Sequence, residues 1–468
     1  SIIIALPTGE GKSMIFQLVH SVGFVGADQA KTSGVTLVIV PTVALAVNHE
    51  LEAVEVLGLP RPLAFQGGND VENGLIAERI ASGTQGLCFA SPEAACGRLR
   101  EALRCAAEAG LLRALVIDEA HLVDQWGTGF RTEFQELSGL RRELMSAAPT
   151  GQALRTIMLS ATLTDSSLET LRSLFGSGSD FESLAAVQLR PEPDYWIAPS
   201  ASETDRVDRV LEALHHAPRP AVLYVTEVEA ADFWFSRLKE EGFRRLRKLH
   251  GKTSRAERED IVGKWRDGML DIVVGTSAFG LGIDYPHARS VIHACVPETL
   301  DRFYQEVGRG GRDGKACLSL IIHTSKDIST AERINSQQVI SVERGYHRWL
   351  TMFERKLLFG DGQFAVRIDG RPGTDERDID MFGDANTDWN LRTVVLMARA
   401  GLLRLLGTPY PKIQEAGDWL EIEIIDDHHL DMEVWRTRVA TVRHEGWIAS
   451  KRNLDLMRDY LRDDRCPA

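Results

Sequence analysis

The chain lacks any pair of cysteines at CxxC spacing. None of its six cysteines, Cys88, Cys96, Cys105, Cys295, Cys317 and Cys466, stands near histidines at a spacing suited to zinc. No zinc is therefore expected, and the thiols read as reduced side chains in a cytoplasmic compartment. No apolar run approaches the roughly 20 residues that span a bilayer, and no secretory leader is legible, so a membrane is not an expected partner. An excess of positive charge is missing too. With 54 Lys and Arg against 67 Asp and Glu the net charge is -13, which excludes polyanion binding through the overall field but leaves room for local basic surfaces. What remains is ordinary for soluble globular protein: 44% hydrophobic and 26% charged residues. A length of 468 residues suggests about three domains.

The stretch 118–134, DEAHLVDQWGTGFRTEF, organises the rest. The apolar run Leu115, Val116, Ile117 ends in Asp118 and Glu119, which is how a buried parallel strand delivers carboxylates to the sheet edge where nucleotides bind. Asp118 is suited to hold magnesium through water, and Glu119 to activate an attacking water. Upstream the chain reads strand, glycine-rich turn, helix: IIIA, LPTGEGKS, MIFQLVH. Around Thr8 and Glu10, Gly9 and Gly11 let backbone N–H groups face phosphate oxygens, and the next helix adds its N-terminus. Lys12 would reach the outer phosphates, and the Ser13 hydroxyl would ligate magnesium. The strict GxxxxGK[ST] pattern is not met, because Leu6 stands where the first glycine should be. The chain also opens already inside a strand, so a fragment of a longer protein is expected.

Runs at 35–40 (VTLVIV) and 87–90 (LCFA) read as further buried strands. They lead into Pro41-Thr42 and Ser91-Pro92-Glu93, turns whose polar groups suit the phosphates of a nucleic-acid backbone. A strand at 156–159 runs into Ser160-Ala161-Thr162, whose hydroxyls would link the hydrolysis motif to a second lobe or merely cap a helix. Strands alternating with helices predict a doubly wound parallel sheet over 1–190. The proline-rich segment RPEPDYWIAPSASET places a linker at 191–204.

The α/β rhythm returns over 205–328, with strands expected at 221–225, 272–274, 290–294 and 319–323. The basic run from Arg244 to Lys252, with His250, suits either nucleic acid or a charge-protected sheet edge. In GTSAFGLGID, which includes Thr276, small residues permit close backbone approach to a ligand, while Asp284 would bond a ribose hydroxyl or cap the turn. In QEVGRGGRDG, which opens with Gln305, Arg309 and Arg312 lie three apart on one helical face. They suit insertion toward a γ-phosphate when two lobes close.

Together these segments resemble the superfamily 2 helicases, most closely the RecQ-type DNA helicases. PTGEGKS, DEAH, SAT, TSAFGLGID and QEVGRGGRDG resemble motifs I, II, III, V and VI, in order, over about 70% of the chain. The most specific mark is the loop after DEAH. There Gln125, Trp126, Phe130 and Arg131 resemble the aromatic-rich loop that in this family senses single-stranded DNA and couples it to hydrolysis, by stacking on bases and pairing with phosphate. The resemblance implies two RecA-like lobes, ATP and Mg2+ as cofactors, His121, Ser160 and Thr162 as coupling residues, and Pro41, Thr42, Ser91, His250 and Thr276 as further DNA contacts. It also implies ATP-dependent movement on single-stranded DNA, three-prime to five-prime, with unwinding of forked or partly duplex DNA. Glu10 stands where glycine is usual, and Gly310 where alanine is usual; both departures should be tolerable. The family's zinc-binding cysteine cluster has no counterpart, and its adenine-reading glutamine lies upstream of the motif at which this chain begins.

Residues 329–468 read as a mixed α/β accessory region compatible with a winged-helix-like module. A helical face is expected at Trp349, Phe353 and Leu357, an irregular connection at 360–388, a helix at 390–400, and paired strands at 402–406 and 419–425. Asp426, Asp427, His428, His429 and Asp431 read as an exposed turn. Two alternatives stay open: an RNA helicase, and an ATP-operated DNA clamp or scaffold that does not unwind, working with other proteins of a DNA-processing or defence complex.

Overall fold

The computed structural model describes residues 1–22, 34–123, 133–152, 154–176, 181–186, 188–276, 288–336, 340–358, 363–371, 384–407 and 417–463. A first sheet holds β1 (Ile2–Ala5), β2 (Val35–Ile39), β3 (Leu87–Ala90), β4 (Leu112–Ile117), β5 (Arg155–Ser160) and β6 (Glu182–Ala185), in the order β3-β2-β4-β5-β1-β6. Pairs β2–β3, β2–β4 and β4–β5 are parallel. Their apolar runs are buried on both faces, as a sheet covered by helices requires. Every residue of β2 and β3 is buried. The carboxyl ends of β2 to β5 deliver Thr42, Ser91, Asp118 and Ser160 along one sheet edge, where α/β proteins place ligands.

A second sheet contains β7 (Pro193–Pro199), β8 (Ala221–Tyr224), β9 (Leu246–Leu249), β10 (Ile272–Gly275), β11 (Ser290–His293) and β12 (Cys317–His323), ordered β7-β12-β11-β8-β10-β9. All its pairs are parallel. β7 corrects the sequence reading of 191–204 as a linker. It pairs with β12 along its whole length, from Pro193 opposite Cys317 to Pro199 opposite His323. Its prolines are compatible with this because β7 is an edge strand, which needs only one row of hydrogen bonds.

A third sheet is antiparallel: β13 (Leu357–Leu358), β14 (Gln363–Arg367), β15 (Leu403–Gly407) and β16 (Trp419–Ile424), ordered β13-β14-β16-β15. β14 lies where an irregular connection was expected. The helix after it, Asp384–Arg399, starts earlier than its apolar pattern suggested, and a left-handed Gly401 follows it. Trp349 is fully buried in the helix Val342–Glu354, but Leu357 has already passed into β13. His429 is not exposed either. Its Nδ1 accepts from Trp349 Nε1 at 3.1 Å and its carbonyl from Trp435 Nε1 at 2.9 Å, so it joins the core.

The described chain forms two compact units. One comprises Ser1–Ile4, Ser13–Leu184 and Gln337–Ala449; the other comprises Ala5–Lys12, Ala185–Ser336 and Ser450–Ala468. Most of the C-terminal region thus packs within the first unit. A Cβ at Gly139, on the helix Glu133–Ala147, would lie 2.5 Å from the Leu405 carbonyl oxygen of β15. Arg100 bridges Glu143 at 2.8 Å and Glu421 at 3.5 Å. No helix among the described residues is long and apolar enough to cross a membrane.

Candidate active site

In the first unit, the DEAH carboxylates stand where β4 ends. The Asp118 amide donates to the Ile39 carbonyl at 2.9 Å, which ties the strand end to β2, and Asp118 Oδ1 accepts from the Glu119 amide at 2.9 Å. Glu119 adopts φ +50°, the one non-glycine residue with positive φ among those described. Such a backbone costs on the order of 1–3 kcal/mol and persists only where its surroundings hold it, a pattern that clusters at functional sites. His121 supplies part of that hold: its Nδ1 lies 3.4 Å from Glu119 Oε2 and 3.1 Å from Ser160 Oγ. Ser160 Oγ in turn donates to the Thr162 carbonyl and accepts from the Thr162 amide. His121, Ser160 and Thr162, expected as coupling residues, are therefore one hydrogen-bonded chain whose first member stands at ion-pair distance from Glu119.

Sequence reasoning missed His49. It projects from the helix Val43–Leu57 with Nε2 3.5 Å from Asp118 Oδ2 and Nδ1 3.6 Å from Glu52, and it stacks on Phe89 at 5.5 Å. Burial disfavours its charge, but the nearby Asp118 and Glu52 carboxylates outweigh that and raise its pKa to about 9. The available signal was a His49-Glu50 pair on the apolar side of a helix. Glu50, also buried, accepts from the Leu63 amide at 2.7 Å.

The phosphate loop Ala5–Lys12 falls in the second unit. Gly9 and Gly11 have φ +87° and +76°, which only glycine adopts freely, and the Glu10 amide closes the turn on the Pro7 carbonyl at 3.3 Å. Thr8 is buried, and its Oγ1 has no hydrogen-bond partner among the described residues. A buried hydroxyl in that condition wants a polar ligand. Gly9 and Glu10 are exposed and Ser13 half-buried at the start of the helix Lys12–Val22. This donor set, a hydroxyl, a lysine and turned backbone amides, fits the phosphates of a nucleotide triphosphate; in the first unit, the Ser13 hydroxyl and the Asp118 carboxylate are oxygen ligands of the kind Mg2+ takes.

In the same unit, Gln305 lies on the helix Leu300–Val307, and Arg309 and Arg312 follow its end. Arg312 Nε donates to the Gly308 carbonyl at 3.0 Å. A Cβ on Gly308 would fall 2.0 Å from Thr8 Oγ1, and one on Gly9 would fall 3.8 Å from Arg312 Cγ. The phosphate loop and the arginine turn are thus in direct contact. Against the cost of burial, Arg302 and His293 hold Glu306 ionised, below the usual carboxylate range, and so anchor the helix that leads into the turn.

Gly310 has a local cause. A Cβ there would lie 2.6 Å from the buried Cys317 Sγ, so the cysteine fills the space an alanine methyl would need. Gly310→Ala is therefore expected to destabilise the second unit by about 1–3 kcal/mol through overpacking. Adding Cys317→Ala should recover part of the lost Tm; full stability of Gly310→Ala alone would contradict this packing.

The expected DNA contacts vary in what they do. Thr42 and Ser91 are helix N-caps, accepting from the Leu45 amide at 3.2 Å and the Ala94 amide at 3.3 Å. Pro41 is buried beside the first of them. Thr276 is buried at the end of β10, its amide donating to the Leu249 carbonyl. His250 is half-buried and lies 3.7 Å from Asp232, which also pairs with Lys248. Arg245 binds the Gly268 and Met269 carbonyls. Because β9 is an edge strand, these pairings favour the charge-protected edge over a free basic patch. Gln125, Trp126, Phe130, Arg131 and Asp284 lie outside the described residues.

The family model described as DEAD/DEAH box helicase matches residues 1–171, and that described as Helicase conserved C-terminal domain matches 204–314. With two parallel-sheet α/β lobes, these matches give the chain a DEAD/DEAH box helicase domain followed by a helicase conserved C-terminal domain. Its curated relatives are RecQ-family DNA helicases. It is 28% identical over 343 residues to the probable ATP-dependent DNA helicase RecS of Bacillus subtilis, covering 73% of this chain and 64% of that protein. It is 28% identical over 337 residues to the RecQ-like DNA helicase BLM of Xenopus laevis, covering 71% and 23%. It is 29% identical over 350 residues to the ATP-dependent DNA helicase RecQ of Synechocystis, covering 74% and 69%. The chain spans 64%, 24% and 54% of the lengths of three such relatives. Two solved structures share the fold. The DEAD-box helicase Mss116 bound to single-stranded RNA and UDP-BeF has a TM-score of 0.56 at 20% identity, covering 72% of this chain and 69% of that one. The DUF1998 helicase MrfA bound to DNA has a TM-score of 0.55 at 17% identity, covering 91% and 55%.

Proposed function

We propose that this protein is an ATP-dependent DNA motor that couples hydrolysis to movement on single-stranded DNA and to duplex unwinding. ATP with Mg2+ supplies the phosphoryl group and the cation. Thr8, Gly9, Gly11 and Lys12 bind the phosphates, Ser13 and Asp118 hold the cation, Glu119 takes the proton of the attacking water, and Arg309 and Arg312 neutralise developing charge. The observation that carries this reading is the Glu119–His121–Ser160–Thr162 chain. It places the hydrolytic carboxylate at ion-pair distance from His121, the first member of a hydrogen-bonded path into the segment after β5, as a coupled motor needs and a simple phosphatase does not. The curated relatives are named DNA helicases, which favours DNA over RNA. Three-prime to five-prime polarity, and an accessory winged-helix-like role for the C-terminal sheet and helices, belong to the same proposal.

Strand displacement on a forked DNA duplex tests it. ATP-dependent unwinding by the full chain is expected, whereas DNA binding without displacement would favour an ATP-operated clamp. Stronger stimulation of hydrolysis by single-stranded RNA than by DNA would favour an RNA helicase. The double variant Trp126→Ala, Phe130→Ala removes two bases' worth of stacking, about 1–3 kcal/mol each. It should bring the ratio of ATP hydrolysis rates with and without DNA down to about one; an undiminished ratio would remove that loop from the coupling role.

A further inference from the structure

Arg190 stands at the start of the segment that sequence reasoning took for a linker, and it is 6% exposed. All three nitrogens of its guanidinium are used. Nη1 donates to the Gly308 carbonyl at 2.9 Å and the Gly310 carbonyl at 3.1 Å, Nη2 to the Gly311 carbonyl at 2.8 Å, and Nε to Glu192 Oε2 at 3.1 Å. Those three carbonyls bracket Arg309 and precede Arg312. They belong to the turn that ends the helix Leu300–Val307, where backbone acceptors have no intrahelical donor and a buried one must find another.

The Gly308 carbonyl is shared, because Arg312 Nε also donates to it, at 3.0 Å. Gly9 of the phosphate loop lies over both arginines, since a Cβ there would be 3.8 Å from Arg312 Cγ and 3.9 Å from Arg190 Cζ. Gly311 is closed in as well: its φ is +63°, and a Cβ would meet Glu192 Cβ at 2.8 Å. One fork-shaped cation therefore sets the path of the turn. A lysine, a point donor without the planar fork, could not span three carbonyls in this geometry.

We propose that Arg190 is a positioning residue for the motor's two arginines, fixing the 308–312 turn, and through it Arg309 and Arg312, against Gly9 of the phosphate loop. This rests on the proposed ATPase function. Glu192 orients the fork through Nε, so the carboxylate contributes a smaller effect of the same kind.

The test is a double-mutant cycle on the full chain with hydrogen exchange as a second readout. Arg190→Ala should lower kcat for ATP hydrolysis about 100-fold and leave KM for ATP within about threefold. In an Arg309→Ala background it should cost clearly less than 100-fold, because the part of its effect that runs through Arg309 is already lost and only the part through Arg312 remains. Amides of 308–312 should lose protection in Arg190→Ala while those of β8 and β11 keep it. A kcat within threefold of wild type, or losses that multiply in the double variant, would overturn the proposal. Should Arg190→Ala not fold, Arg190→Lys and Glu192→Gln must each lower kcat and loosen 308–312; wild-type behaviour of both would overturn it. A wild-type chain without ATPase activity would count against the proposed function instead, and exchange at 308–312 would still decide the role of Arg190.

Discussion

Glu119→Gln should lower kcat for ATP hydrolysis by about 10²–10⁴-fold, the range that a positioned general base supplies. The substitution keeps the side chain's shape and its reach to His121, 3.4 Å away, and removes only the capacity to take a proton. Affinity for a non-hydrolysable ATP analogue should therefore stay near that of the wild type. The left-handed backbone at Glu119, φ +50°, aims the carboxylate by local strain rather than by a long flexible reach. A Glu119→Gln chain retaining more than about a tenth of the wild-type rate would assign the base elsewhere.

Arg309→Ala is expected to have an effect as large or larger, about 10³–10⁵-fold in kcat, the range known for an arginine that stabilises phosphoryl transfer. Lysine should not rescue it, because a point charge cannot reproduce the planar fork. Arg312→Ala should also be severe. Its guanidinium is braced on the Gly308 carbonyl, so its loss removes a charge and loosens the turn that carries Arg309. Single-turnover kinetics separate these effects from nucleotide binding. Should the loss appear mainly in KM, the arginines would be binding groups and not part of the transition-state machinery.

The parts legible in the sequence are those whose signal is local. β3 was readable because LCFA is an unbroken apolar run, and the phosphate loop because its glycines must adopt positive φ within a few residues of a lysine and a serine. Asp118 and Glu119 followed from their place at a strand end. What escaped depends on distant partners. β7 was hidden because its prolines argue against a strand unless the strand lies at an edge, which only its pairing with β12 decides. β14 was hidden between glycine- and aspartate-rich flanks. His49 looked like part of an ordinary helix, and its meaning comes from Asp118, far along the chain. Arg190 carries no motif, since its three acceptors are backbone carbonyls more than a hundred residues away. Gly310 appeared a neutral change until Cys317 was found in the space of the missing methyl.

The similarity to helicases and the chain from Glu119 through His121 and Ser160 to Thr162 converge on the central proposal, that ATP hydrolysis here is driven by contact with DNA. The most direct measurement is the steady-state rate of ATP hydrolysis by the full chain with and without single-stranded DNA. A rate at least about tenfold higher with DNA is the predicted result. Equal rates, or no hydrolysis in either condition, would contradict it.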